Sequence, residues 1–374
     1  MNRTDLYNKS IAYLKVLCTD ITDRSVGSKG NREATQFFKK ELGYLGWKTE
    51  TPKFRAMDWN DGGAILKSNG LDFKVLVSPY SLGCSVQSQL ADATNISDLE
   101  IGIFKDKIIF LHGEIAREQL MPKKFVFYNP EEHQKIVALL ENSKALAIIC
   151  ATSRNSALAG GVYPFPLIED GDFEIPTVYM TEEEGKRLIP LIGRQVALQS
   201  ISERIPGMGC NVIGRKGDKT AERIVVTAHI DAKKGTPGAI DNATGIIILL
   251  LLAKLLEDYS GINQIEIVAF NGEDYFAVPG QMNYVMANHD KFDNIIININ
   301  IDGAGYKNGK SAFSFFGLPE EMQEKAIEVL EKYPGIVEGA PWPQGDHSIF
   351  TQQGRPAIAA SSHWFTENIN NQEI

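Results

Sequence analysis

The chain has 374 residues, with 38 Lys+Arg against 47 Asp+Glu for a formal net charge of −9, and it is 43% hydrophobic and 23% charged. These globular proportions exclude a disordered, collagen-like or coiled-coil protein. An acidic balance with no Lys/Arg cluster argues against nucleic acid or an anionic membrane surface as a partner.

The first ten residues lack a basic region followed by a long apolar stretch, so no signal peptide is expected and the cytoplasm is the expected compartment. A helix is predicted over residues 6–18, with Ile11, Leu14 and Leu17 at helical spacing. A polar, Gly-rich loop follows over 23–31, and a second helix over 32–45 is stopped by Gly46. From 54 to 200 short β-like runs (74–77, 107–111, 145–150, 176–179) alternate with turns and with helices near 131–141 and 181–191. No group of His or acidic residues at ligand spacing occurs there. This stretch reads as a small β-rich inserted domain without chemistry of its own, a wall, lid or association surface for the rest.

After 205 the rhythm becomes strand–helix–strand. Strands are predicted at 223–230, 264–270, 294–301 and 355–360, and helices at 242–258, 279–288 and 319–332. Alternation of this kind predicts an α/β fold, a three-layer αβα sandwich with a largely parallel central sheet. The greasiest helix, around Ile246 to Leu252, is about a dozen residues long where a membrane span needs about 20. It is expected to be buried. The four cysteines (Cys18, Cys84, Cys150, Cys210) form no Cys-x-x-Cys pair and read as small hydrophobes.

Sites in such sheets lie beyond the C-terminal strand ends. The first of these strands ends in His229 and Asp231, two residues apart and so on one side of an extended chain. The helix after it opens at Asp241-Asn242, near the N-cap. The next strand ends in Glu273-Asp274, and the following one in Asp302. Each feature alone has a bland reading, because an N-cap Asp satisfies backbone donors without any function. Together they place several carboxylates and an imidazole at one edge. Such carboxylates would repel and raise one another's pKa values unless a cation neutralised them. Carboxylate with imidazole suits zinc and related divalent ions.

These residues carry a resemblance. Ala228-His-Ile-Asp231, Pro237 to Gly245, Gly272-Glu-Asp274, Asn300-Ile-Asp-Gly303 and Gly345-Asp-His-Ser348 occur in the order found in the two-zinc aminopeptidase family. That family also contains glutamate carboxypeptidases, glutaminyl cyclases and the transferrin receptor ectodomain. Arg24-Ser-Val-Gly-Ser28 resembles its N-terminal signature, and the insert resembles its protease-associated domain. The resemblance implies a zinc peptidase domain over 1–53 and 201–374, interrupted by the insert over 54–200. It implies that His229 and Asp302 bind one zinc, that Asp241 bridges two, and that Asp274 binds the second. Glu273 would be the general base that deprotonates a metal-bridging water, with Asp231 orienting His229. Asn242 would join Asp241 through a cis peptide, and Asp346 and His347 would lie in the second shell or the pocket. The family's last His ligand would fall near Ile374, where the sequence stops, so the C-terminal end reads as truncated and one of the two ions as weak or absent. His363 is left to a structural or surface role.

The implied activity is that of a metal-dependent exopeptidase, an aminopeptidase acting on a peptide or aminoacyl substrate. Two alternatives stay open: glutaminyl cyclisation or carboxypeptidase action on the same fold, and a non-catalytic binding protein with a decayed metal site. Homo-oligomerisation and the preferred side chain are left open.

Overall fold

The computed structural model describes residues 3–117, 120–121, 123, 125, 129–152, 172–275 and 277–368. The chain divides into two compact units, Met1–Ala56 with Gly207–Ile374, and Met57–Pro206.

In the first unit an eight-stranded sheet has a parallel centre. Gln264–Phe270, Arg223–His229, Ile295–Ile301 and Ala357–Ser362 run side by side in one direction. The alternation of buried strands with helices demands this, because each parallel return needs a crossover. The parallel centre agrees with the expected fold, and antiparallel strands join it on both flanks. Val212–Lys216 pairs against Gln264–Phe270, and Ser311–Phe316 pairs against Ala357–Ser362.

Helices cover both faces. On one side Arg3–Lys15, Lys29–Tyr44 and Thr244–Leu255 bury Tyr13, Phe38, Leu42, Ile246, Leu249 and Leu250 against Val226, Ala228 and Ile267 of the sheet. The Trp47 indole N–H, just beyond Lys29–Tyr44, donates to the Ala253 carbonyl at 3.1 Å and ties that end to Thr244–Leu255. On the other side Pro279–Asn288 brings Tyr284 edge-on to Phe270, with ring centroids 5.3 Å apart, and against Phe350 at 5.7 Å. The apolar run is thus a buried helix, and among the described residues no helix is long and apolar enough to cross a membrane.

The second unit holds its own eight-stranded mixed sheet. Its parallel core joins Cys84–Ala93, Ile108–Leu111, Ala147–Ala151 and Thr177–Met180. Two apolar clusters lie on either face, one around Leu140 and Ile148, the other around Phe110 and Ile149. The predicted elements here are present. The long strands Lys53–Ser68 and Gln195–Cys210 were not anticipated.

Candidate metal centre

Three loops at the C-terminal ends of the parallel strands build the site, together with Asp302, which directly follows the strand Ile295–Ile301. His229 closes the strand Arg223–His229 and is fully buried, as is Asp231 two residues on. Asp241 follows in a turn with non-helical backbone, and the Asp241–Asn242 peptide bond is cis, as the resemblance implied. Asp241 does not cap the following helix. That work falls to Asn242, whose Oδ1 accepts from the Gly245 N–H at 3.0 Å while its Nδ2 donates to the Ile301 carbonyl at 2.7 Å. The Asp241 carboxylate is left free for other work, and its side chain is 64% exposed. A Cβ at Gly245 would lie 2.4 Å from Asn242 Oδ1, so only glycine admits this contact.

The third loop begins at Gly272, whose φ of +97° turns successive N–H groups inward. Asp231 Oδ1 accepts from the N–H groups of Gly272 at 2.7 Å and Glu273 at 3.2 Å, and Oδ2 from that of Asp274 at 3.0 Å. Asp231 therefore holds the loop that carries Glu273 and Asp274. Its carboxylate is 3.7 Å from His229 Nδ1, whose nearer acceptor is the Asp231 backbone carbonyl at 3.2 Å. Orientation of His229 comes from the main chain as much as from the carboxylate.

The donor atoms of His229, Asp241 and Asp274 lie within 4.8 Å of one another. His229 Nε2 is 3.0 Å from Asp241 Oδ1 and 3.4 Å from Asp302 Oδ1, yet it is buried without a hydrogen-bond partner. In the tautomer that donates Nδ1–H to the Asp231 carbonyl, Nε2 turns a lone pair toward carboxylate oxygens. Such an arrangement is unfavourable unless a cation sits among them. The same crowding shifts proton affinities, and without a cation a proton on the imidazole is the other way to ease it. Burial alone would lower the His229 imidazole, but Asp302, then Asp231 and Asp241, outweigh it and hold it well above its usual range. Burial, followed by Asp241, pushes the Asp274 carboxyl well up. Burial, reinforced by Asp302, Asp274 and Asp346 against an opposing His229, does the same for Glu273. The residues present fit a divalent cation, which would relieve each of these conflicts.

A cavity of about 510 Å³ opens beside the cluster, and its lining combines Asp241, Glu273 and Asp302 with the aromatic rings of Tyr306, Trp342 and Trp364. Asp346 lies fully buried, its Oδ1 accepting from Gln281 Nε2 at 2.6 Å, and burial pushes its carboxyl up to about 7. His347 stands between the rings of Phe316 and Trp342 and donates from Nε2 to the Trp342 carbonyl at 3.0 Å. It is buried behind Trp342 and is not part of the donor cluster. His363 pairs with Glu367 at 3.6 Å on its own helix. His112, His133 and His289 are engaged elsewhere, with Asp92, the Met121 N–H and Asp290. The position expected for a further His near Ile374 lies outside the described residues.

The fold is that of solved aminopeptidases. The aminopeptidase from Aneurinibacillus sp. strain AM-1 superposes with a TM-score of 0.76 at 18% identity, covering 96% of this chain and 85% of that one. BSAP, a zinc aminopeptidase from Bacillus subtilis, gives 0.72 at 19% identity, covering 95% and 84%. More particularly, residues 211–373, which hold the donor cluster, match the family model described as Peptidase family M28. Among curated proteins, Aminopeptidase YwaD of Bacillus subtilis is 23% identical over 289 residues, 76% of this chain and 59% of its own length. The chain spans 55–59% of the length of the curated relatives it first matches.

Proposed function

We propose that the first unit is a zinc-dependent aminopeptidase that releases N-terminal residues from peptides or aminoacyl compounds. The observation that carries this reading is the meeting of the His229, Asp241 and Asp274 donor atoms around a buried, unpartnered imidazole nitrogen, beside a cavity that Glu273 lines. His229, Asp241 and Asp302 would hold one ion, and Asp241 with Asp274 a second, so that Asp241 is shared. Bound zinc would supply Lewis acidity toward a peptide carbonyl and toward water.

Glu273 carries the proton. As the water oxygen bonds to the carbonyl carbon, a Glu273 oxygen accepts the water's proton. It then returns that proton to the nitrogen as the C–N bond breaks. Burial raises its affinity for a proton above that of an exposed glutamate, which suits a group that must hold one between steps. Asp231 keeps Glu273 in place by gripping its backbone N–H. The aromatic rings lining the cavity would exclude water and take an apolar side chain, while its carboxylates would attract the free α-ammonium of the substrate. That charge preference is the physical basis for acting at an N-terminus.

A panel of aminoacyl amides, each with a free and an N-acetylated amino group, tests the reading. Hydrolysis of the free forms with apolar side chains, lost on acetylation and on chelation, is expected. Equal cleavage of both forms would overturn the aminopeptidase assignment.

A further inference from the structure

The loop preceding the second helix contributes nothing to the proton chemistry, yet its Arg24 side chain reaches the segments that carry His229 and Asp241. Arg24 is 3% exposed. Its Nε donates to the Ile230 carbonyl at 3.0 Å, and its Nη1 to the carbonyls of Leu17 at 2.5 Å and Pro237 at 2.8 Å. Its Nη2 donates to the Gly238 carbonyl at 2.9 Å. Ile230 lies between His229 and Asp231, and Gly238 is three residues before Asp241. One planar group therefore joins the strand end that presents the imidazole to the turn that presents the carboxylate.

We propose that Arg24 is a positioning residue for the metal centre, fixing the separation of the His229 and Asp241 donor atoms by clamping Ile230 to Pro237–Gly238. The inference rests on the metal reading above. All four oxygen acceptors are backbone carbonyls, so the side chain acts as a geometric clamp and not as the partner of a carboxylate. The guanidinium fork fixes its donors in a plane, whereas a lysine ammonium offers one point of charge that cannot span the same carbonyls. The turn has no slack to compensate. Gly238 has a φ of +53°, and a Cβ there would come within 2.7 Å of both Arg24 Nη2 and the Asp241 carbonyl oxygen. Asn31 braces the same loop from behind, donating to the Arg24 carbonyl at 3.0 Å.

The test compares the full chain with Arg24→Lys, both stripped with chelator and titrated with zinc by calorimetry, with cobalt(II) absorption as a second readout. The lysine variant is expected to keep its far-ultraviolet circular dichroism while its zinc affinity falls about ten- to a hundred-fold, the scale for losing a supporting contact behind metal ligands. Its cobalt bands are expected to change in position and intensity. Leu42→Ala, which empties part of the core away from both loops, is expected to lose stability and keep the parent's zinc affinity. If Arg24→Lys fails to fold, Gly238→Ala attacks the same contact from the other side and is expected to weaken zinc likewise. A folded variant at either position with the parent's affinity and cobalt spectrum overturns the inference, as does an equal loss in Leu42→Ala. A parent chain that binds no zinc refutes the metal reading itself.

Discussion

Replacing Asp231 by Asn tests how the loop bearing Glu273 and Asp274 is held. The carboxylate is fully buried and accepts three backbone N–H groups, two on Oδ1 and one on Oδ2. Asparagine keeps a single acceptor oxygen. Placed at the Oδ1 position, it preserves the bonds from Gly272 and Glu273, but its NH2 then faces the Asp274 N–H. A hydrogen bond to a charged acceptor is worth about 1.5–3 kcal/mol, and a buried donor left unpaired costs about 1–3 kcal/mol. These describe one event and do not add in full. Removing a negative charge from a crowd of carboxylates works in the opposite sense. The net expectation for the chelated Asp231→Asn chain is a loss of about 2 kcal/mol. Asp231→Ala, which orphans all three donors, should lose more. Urea denaturation of the chelated full chain measures this as a drop in midpoint at constant slope. Because the freed N–H belongs to Asp274, the loop should also shift at that residue and zinc affinity should fall. An Asp231→Asn chain as stable as the parent, or more stable, would refute the argument that this carboxylate holds the loop.

Glu273→Gln is expected to lose about two to four orders of magnitude in turnover while still binding zinc, because the role proposed for the residue is to move a proton and not to hold the ion. Activity assays beside zinc titration check both halves. His347 carries the pH prediction. Burial holds its imidazole down at about 4 against an ordinary value of 6.5. Between those values the unfolded chain takes up a proton that the folded chain refuses, so its share of stability is present above pH 6.5 and is lost on acidification, at about 1.4 kcal/mol per pH unit. His347→Asn should flatten that slope. Measuring the variant against the parent cancels the opposite contribution of Asp346, and identical slopes would contradict the prediction. Glu266 is buried on a central strand between Arg215, Arg223 and the Tyr284 hydroxyl. Glu266→Gln should cost about 3–5 kcal/mol, since it leaves two buried or half-buried guanidinium groups undercompensated. Thermal or urea unfolding would show it.

Local rules account for most of what the sequence revealed. Helical spacing placed most of Lys29–Tyr44, whose first turn falls in the stretch expected as a loop, and continuous apolar runs placed the parallel strands. The motifs at the strand ends put His229, Asp241, Glu273, Asp274 and Asp302 at one edge before any coordinates. The missing elements were those whose identity depends on a distant partner. Lys53–Ser68 contains Asp61-Gly-Gly63, a turn signal by any local rule. Gln195–Cys210 includes Pro206 and two glycines, which are unfavourable in strands. Val212–Lys216 and Ser311–Phe316 are short flanking strands whose antiparallel pairing no local pattern reveals. The same holds inside the site. The grip of Asp231 on residues 272–274, some forty positions away, and the four carbonyls around Arg24 are long-range contacts. In each case the sequence singled out the residue, while its partners came only with the fold. The N-cap rule drew attention to Asp241, but the neighbouring Asn242 does the capping.

The central claim is that His229, Asp241, Asp274 and Asp302 together hold zinc. Its most direct test is equilibrium dialysis of the full chain against zinc, followed by elemental analysis, with His229→Ala and Asp241→Asn alongside. The parent is expected to retain zinc, His229→Ala to lose the ion shared with Asp302, and Asp241→Asn to weaken both sites because this carboxylate would be common to them. A parent without bound zinc, or variants that retain as much as the parent, would contradict it.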